Sequence, residues 1–149
     1  MREFKFRAWD NEANLMIYSD FRNAKLYDAY YAFETDSKGK LKCSWETEWT
    51  ESCSPDGGEF KNLMQYTGFK DDNGIEIYEG DILERIDSEK ERFVIEFDND
   101  KCGFMLDYYE TDELYNFEEL PDCRIIGNVY ASFEQFKNEL KAGEGNNEI

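Results

Sequence analysis

"LMQYTGFKDDNGIEIYEGDIL", residues 63–83, alternates apolar runs with turn signals. With its flanks it divides into "NLMQYTGF", "KDDNG", "IEIY", "EGD" and "ILERI". Short runs rich in aromatic and β-branched residues, bounded by Asp, Asn and Gly, read as strands joined by tight turns. Asn73–Gly74 suits a two-residue hairpin turn in which both central positions take positive φ. Gly80 suits a tight bend before the next strand. This reading accounts for Asp72, Asn73, Gly74 and Gly80, and extends to Asp81. It leaves Gln65, Tyr66 and Thr67 unexplained by turn chemistry.

The pattern continues downstream. "DSEKE" leads into "RFVIEF", where Phe93, Ile95 and Phe97 face one side and Arg92, Val94 and Glu96 the other. "DNDKCG" leads into "FMLDYY", a polar loop "ETDELYNFEELPD" follows, and "CRIIGNVY" is a last strand. Several short strands with tight turns indicate a small barrel or sandwich. "SFEQFKNELKAG" carries a helix code: Ser132 caps, Gln135 completes a capping box, Phe133, Phe136 and Leu140 share a face, and Gly143 ends it. The remaining "EGNNEI" reads as a disordered tail.

Upstream, "REFKFRAWD" alternates, with Phe4, Phe6 and Ala8 on one side and Glu3, Lys5 and Arg7 on the other, a half-buried strand. "LMIYSDF" reads as a second strand, and "AKLYDAYYAF" suits either helix or strand. "DSKGK" is a turn before "LKCSWETEWTESC", in which Leu41, Cys43, Trp45 and Thr47 alternate with polar neighbours. "SPDGGEF" is the strongest breaker and the expected boundary between two parts of the chain.

With 149 residues, the chain suits one compact domain or two very small ones. Acidic composition can signal disorder, but disordered chains are poor in aromatics. Here the net charge is −18 while Phe, Trp and Tyr make up 17% of residues, which argues for an aromatic core under an acidic skin. Such a surface repels nucleic-acid phosphates and anionic lipid, so direct nucleic-acid binding and membrane association are not expected. Arg2, Lys5 and Arg7 form a weak basic cluster, read as a solvated strand face. Charged "MREFKFR" at the start and the lack of a long apolar run point to the cytoplasm and reduced thiols. Cys43 and Cys53 could span a hairpin, but no C-x-x-C pair occurs.

The sequence holds no histidine, so the commonest general base and any Cys–His chemistry are missing. Acid pairs such as Asp71–Asp72 and Glu118–Glu119 arise anyway among 35 acids, and nothing selects one. "DNDKCG" fails as a calcium loop, because Cys102 and Tyr109 stand where oxygen ligands belong, and a turn explains it better. "GFKDDNG" lacks the Lys–Ser/Thr ending of a phosphate loop. No catalytic residue, metal ligand or cofactor is therefore expected.

"FRAWD", "LMQYTGFKDDNGIEIYEGDIL" and "IIGNVY", in that order, resemble the YopX family of phage and prophage proteins. Arg7, Trp9, Asp10, Gln65, Tyr66, Thr67, Gly68, Gly74, Ile77, Tyr78, Gly80, Asp81, Gly127 and Tyr130 carry the resemblance; Phe69 departs from the more usual leucine but stays apolar. The resemblance implies a mainly β protein: an N-terminal β-element with a variable insertion (1–61), a small SH3-like barrel with a short C-terminal helix (62–142) and a tail (143–149). It implies no activity to transfer. Of the functions open to such a chain, a non-catalytic interaction module acting on a host or phage protein in the bacterial cytoplasm ranks first. Trp9, Asp10, Gln65, Tyr66, Thr67, Tyr78 and Asp81 are its candidate binding residues, with core packing the competing explanation for the aromatics. An acidic decoy of DNA comes second and a small-molecule binder or enzyme third. Strand edges leave homo-oligomerisation open.

Overall fold

The computed structural model describes residues 3–22, 24, 29–46, 57–60, 62–87, 91–109, 111 and 113–131. The expected helix and tail, Arg2 and Cys53 lie outside the described residues. The described chain is mainly β, and it divides into two compact units. Among the described residues, one spans Lys5–Leu63 and the other takes in residues 3 and 4 with residues 64–131.

In the N-terminal unit, β1 (Phe6–Asp10) and β2 (Leu15–Tyr18) form an antiparallel hairpin with Trp9 opposite Met16. Asp10 closes it, its Oδ1 accepting the Glu12 and Ala13 N–H groups at 3.0 and 3.1 Å. The half-buried strand expected here is corrected: Arg7, Ala8, Trp9 and Asp10 are all buried. Both faces of β1 are covered, so its alternation in polarity does not become an alternation in exposure. Of the basic cluster, Arg7 is on no solvated face, since it is only 2% exposed, and Lys5 is half-buried.

β3 (Tyr30–Thr35), β4 (Leu41–Glu46) and β5 (Gly57–Phe60) make a three-stranded antiparallel sheet in that order. The ambiguous tyrosine-rich segment thus ends as a strand. Its turn is organised by Asp36, whose Oδ1 accepts the Lys38 and Lys40 N–H groups. Tyr31, Trp45 and Gly58 lie directly opposite one another, as do Phe33, Cys43 and Phe60. Directly opposed residues share a face, so one face is aromatic and the other carries Glu34, Lys42 and Glu59. Gly57 and Gly58, expected in a breaker, belong to β5. A Cβ on Gly58 would lie 2.7 Å from the Trp45 indole nitrogen, so the ring lies across the glycine and fills the missing side chain's place.

In the C-terminal unit, β6 (Leu63–Lys70) pairs with β7 (Glu76–Tyr78). Then β8 (Asp81–Arg85), β9 (Arg92–Asp98), β10 (Gly103–Tyr108), β11 (Leu114–Asn116) and β12 (Cys123–Asn128) form a sheet in the order β11-β10-β9-β8-β12. The strands curl into a half-barrel, the SH3-like element that the resemblance implied. Tyr78, Phe93, Leu83, Ile95 and Leu106 form its core, each with under 2% exposure. The loop expected after β10 instead holds the short edge strand β11 and a 3-10 turn at Phe117–Glu119.

The turn at 71–75 also departs from expectation. Asp71 carbonyl accepts the Gly74 N–H, Asp71 N–H donates to the Ile75 carbonyl, and within the turn only Gly74 takes positive φ, at 78°. This is a type I turn with a following left-handed glycine, which asks for one such position rather than two. Asp71 stabilises it: Oδ1 accepts the Asn73 and Ile75 N–H groups, both at 2.9 Å, and Oδ2 accepts the Ile125 N–H at 3.0 Å. One carboxylate therefore ties the hairpin loop to β12. The "DNDKCG" segment is a turn as expected, with Asp98 Oδ1 accepting the Asp100 and Lys101 N–H groups.

Candidate functional site

The structure gives Gln65, Tyr66 and Thr67 a local explanation. β6 bulges after Tyr66, with the register against β7 shifting between Tyr66 and Lys70, and Gly68 takes φ of 90°. Thr67 bridges the bulge: its hydroxyl donates to the Ile77 carbonyl at 2.7 Å and accepts the Phe69 N–H at 3.2 Å. Tyr66 sits directly opposite Tyr78 with ring centroids 5.5 Å apart, and both are buried. Gln65 accepts the Glu79 N–H at its carbonyl, and Glu79 Oε1 accepts the Gln65 N–H at 2.9 Å. Asp81 is 1% exposed, and its Oδ2 accepts the Tyr78 N–H at 2.7 Å. Gly80 beside it has φ of 81°, and a Cβ there would meet the Met64 sulfur at 3.1 Å. These contacts hold the β6–β8 connection in shape, and the buried rings are core.

Trp9 and Asp10 differ, because they line a cleft of about 540 Å³ within the N-terminal unit. The β1–β2 turn (Asp10, Asn11, Glu12, Ala13) supplies part of its wall. The aromatic face of the β3–β5 sheet supplies Tyr31, Trp45 and Phe60, with Glu59 and Asn62 also lining it. Tyr31 and Phe60 stack at 5.9 Å with 17° between their planes. Tyr31 hydroxyl donates to Asp10 Oδ2 at 2.7 Å, which fixes the ring against the turn. Among the described lining residues three are carboxylates and none carries a positive charge.

Tyr31, Trp45, Phe60, Glu12 and Glu59 were missed by sequence reasoning. The alternation of Cys43 and Trp45 announced the strand. The order β3-β4-β5, which assembles the aromatic face, has no local signal, since β5 is half glycine. Tyr66 and Thr67 line a second depression, of about 670 Å³, in the C-terminal unit with Phe69, Phe104 and Phe117. Phe69 is 51% exposed, and its ring lies 5.0 Å from that of Phe117.

The two buried thiols among the described residues are quiet. Burial pushes the Cys43 thiol up to about 12, with the Asp10 carboxylate adding to the effect. Burial does the same to Cys123, also to about 12, helped by Asp71, Asp72 and Asp122. A thiol attacks as its thiolate, so both are poor nucleophiles at neutral pH. Burial, the Asp107 charge and a hydrogen bond with Asp107 raise the Glu96 carboxyl. That pair lines neither cleft. Among the described residues no group of three or more Cys, Asp or Glu is arranged to hold a metal, and no helix is long and apolar enough to cross a membrane.

The family model described as YopX protein matches residues 5–136, which takes in the cleft and the β6–β8 connection alike. The chain belongs to the YopX family. A solved structure described as protein EF1440 from Enterococcus faecalis resembles this YopX protein in fold, with a TM-score of 0.50. It is 20% identical, and the match covers 87% of the present chain and 95% of the other. The comparison with curated proteins returned no match.

Proposed function

We propose that this YopX protein is a non-catalytic recognition module of a phage or prophage, which binds a host or phage protein in the bacterial cytoplasm through the cleft of its N-terminal unit. The observation that carries the reading is the cleft itself, where Trp9, Tyr31, Trp45 and Phe60 meet Asp10 and Glu12. Aromatic side chains bury large area at low entropic loss and dominate contact hot spots, while a polar rim orients the partner. The Tyr31–Asp10 hydrogen bond holds one wall in place before binding, which reduces the ordering that association requires. The raised Cys43 and Cys123 thiols and the absence of histidine favour binding over covalent or general-base chemistry. Gln65, Tyr66, Thr67, Tyr78 and Asp81 support the module by holding the β6–β8 connection rather than by touching a partner.

Affinity capture from bacterial lysate with three baits tests this: the native protein, Glu12→Lys at the cleft and Glu118→Lys on the 3-10 turn. Both positions are exposed, so both variants keep the fold. The expected result is a partner held by the native protein and by Glu118→Lys but lost with Glu12→Lys. Loss with both substitutions would instead support an acidic decoy that works through summed charge. A partner retained by all three baits would place recognition outside the cleft.

A further inference from the structure

We infer that the cleft takes the cationic side chain of a basic peptide segment, an arginine in particular; this rests on the recognition reading above and names its ligand class. The cleft combines the two features that select a cation. Its walls offer the rings of Tyr31, Trp45 and Phe60, and the buried Trp9 also lines it. Aromatic faces carry a negative quadrupole that attracts a guanidinium group, and the planar group also stacks on them. Its lining adds the carboxylates of Asp10 and Glu12, and among the described residues no cation of the lining neutralises them from within. Glu59 also lines the cleft, but the alternation along β5 turns its side chain to the opposite face of the sheet, toward Lys42. On that face Lys42 reaches Glu59 at 3.5 Å, with both side chains exposed, at 39% and 50%. That pair is therefore screened and exchangeable.

Asp10 is the anchor. A carboxylate has four lone-pair positions. The Glu12 and Ala13 N–H groups occupy both on Oδ1, and the Tyr31 hydroxyl takes one on Oδ2. One acceptor position on Oδ2 is left for an incoming donor. Asp10 is 8% exposed. A carboxylate that far from water disfavours an apolar neighbour and rewards a charged donor.

The size of the cleft decides between a free small cation and a segment of protein. Its volume is about 540 Å³. That lies in the range that holds a drug-sized ligand, more than one guanidinium fills, and so has room for the backbone that carries it. The whole chain, at −18, attracts a basic segment from a distance and repels an acidic one. A nucleic-acid phosphate or an acidic peptide finds no counter-charge among the described lining residues.

The test uses a short, otherwise uncharged peptide with one central arginine, and the same peptide with citrulline, its neutral isostere. Binding to the full chain is followed by tryptophan fluorescence and by the indole N–H signals of Trp9 and Trp45. The arginine peptide is expected to saturate and to shift both indoles, with the citrulline peptide bound roughly tenfold more weakly. Glu12→Gln, which keeps the side-chain shape, should weaken the arginine peptide and leave the citrulline peptide unchanged. Equal binding of the two peptides, or no saturable shift at either indole, overturns the inference. If the captured partner still depends on Glu12 while the peptides bind equally, recognition stands and only the cationic ligand falls. If the arginine peptide binds as expected but the captured partner ignores Glu12→Lys, the cation site stands and the recognition reading falls.

Discussion

Tyr66, one of the residues that carry the family resemblance, has a packing role that the fold explains. It is 6% exposed, lies opposite Tyr78 in the ladder and immediately precedes the bulge that Thr67 and Gly68 complete. Truncating such a ring removes both buried area and its cross-strand partner's support. Tyr66→Ala should therefore lower stability by about 3–5 kcal/mol, the usual loss for an aromatic removed from a core. Tyr66→Phe, which keeps the ring pair, should lose far less. Urea midpoints at unchanged slope give both values; a midpoint for Tyr66→Ala equal to that of the native protein would show that the ring is not structural. Gly74 and Gly80 were legible because positive φ has a composition, whereas the bulge at Gly68 and the roles of Asp71 and Thr67 were not. Asp71 gains its meaning from the Ile125 N–H, which is 54 residues away in sequence, and nothing at either end announces the bond.

At the scale of elements, strands with one wet face were readable and strands covered on both faces were misread. β1 alternates in polarity yet is buried throughout from Arg7 to Asp10, and β11 is too short to show a period. The middle of the five-stranded sheet adds a device that only register reveals. Glu84 on β8 lies directly opposite Arg124 on β12 and Arg92 on β9. Its Oε1 accepts from Arg124 at 3.0 Å and its Oε2 from Arg92 at 3.2 Å. The hydrogen bonds from Arg124 and Arg92 hold the Glu84 carboxyl below the usual carboxylate range, against a smaller opposing effect of burial. A folded-state value below the unfolded one means that the stabilisation is present above the ordinary carboxylate value and is lost as pH falls through the folded value. Glu84→Gln should accordingly melt at a lower temperature than the native protein at neutral pH. The gap should close as the medium is acidified past the ordinary carboxylate range, since the native carboxyl is then protonated too. The side chains of Arg92 and Arg124 are 60% and 55% exposed. Salt screens pairs with such exposed members, so it should narrow the gap as well. A gap that is constant from neutral to strongly acid pH would mean that the substitution acts through packing and not through charge.

For the whole molecule the sequence told the sign of the field and not the place where it is used. Even if each of the 17 basic residues neutralised one of the 35 acids, 18 carboxylates would remain. That excess keeps the chain soluble and opposes its own compaction. At about 0.01 M salt the screening length is about 30 Å, so unpaired carboxylates across one small unit repel one another; at about 0.15 M it falls to about 8 Å and most of that repulsion is gone. The melting temperature should therefore rise over this interval, although every exposed ion pair weakens in the same solutions. Binding of an arginine peptide to the Asp10–Glu12 cleft should move the opposite way, because salt screens the attraction that draws it in. The two trends separate the global charge from its local use when melting and peptide affinity are measured in the same salt series, with sucrose as an uncharged control for the melting arm. A melting temperature that fell with salt would show that the paired charges, such as Glu84 with its two arginines, outweigh the unpaired excess. The acidic surface would then be a stabilising network in its own right, and repulsion would no longer be the cost of carrying a cation-seeking face.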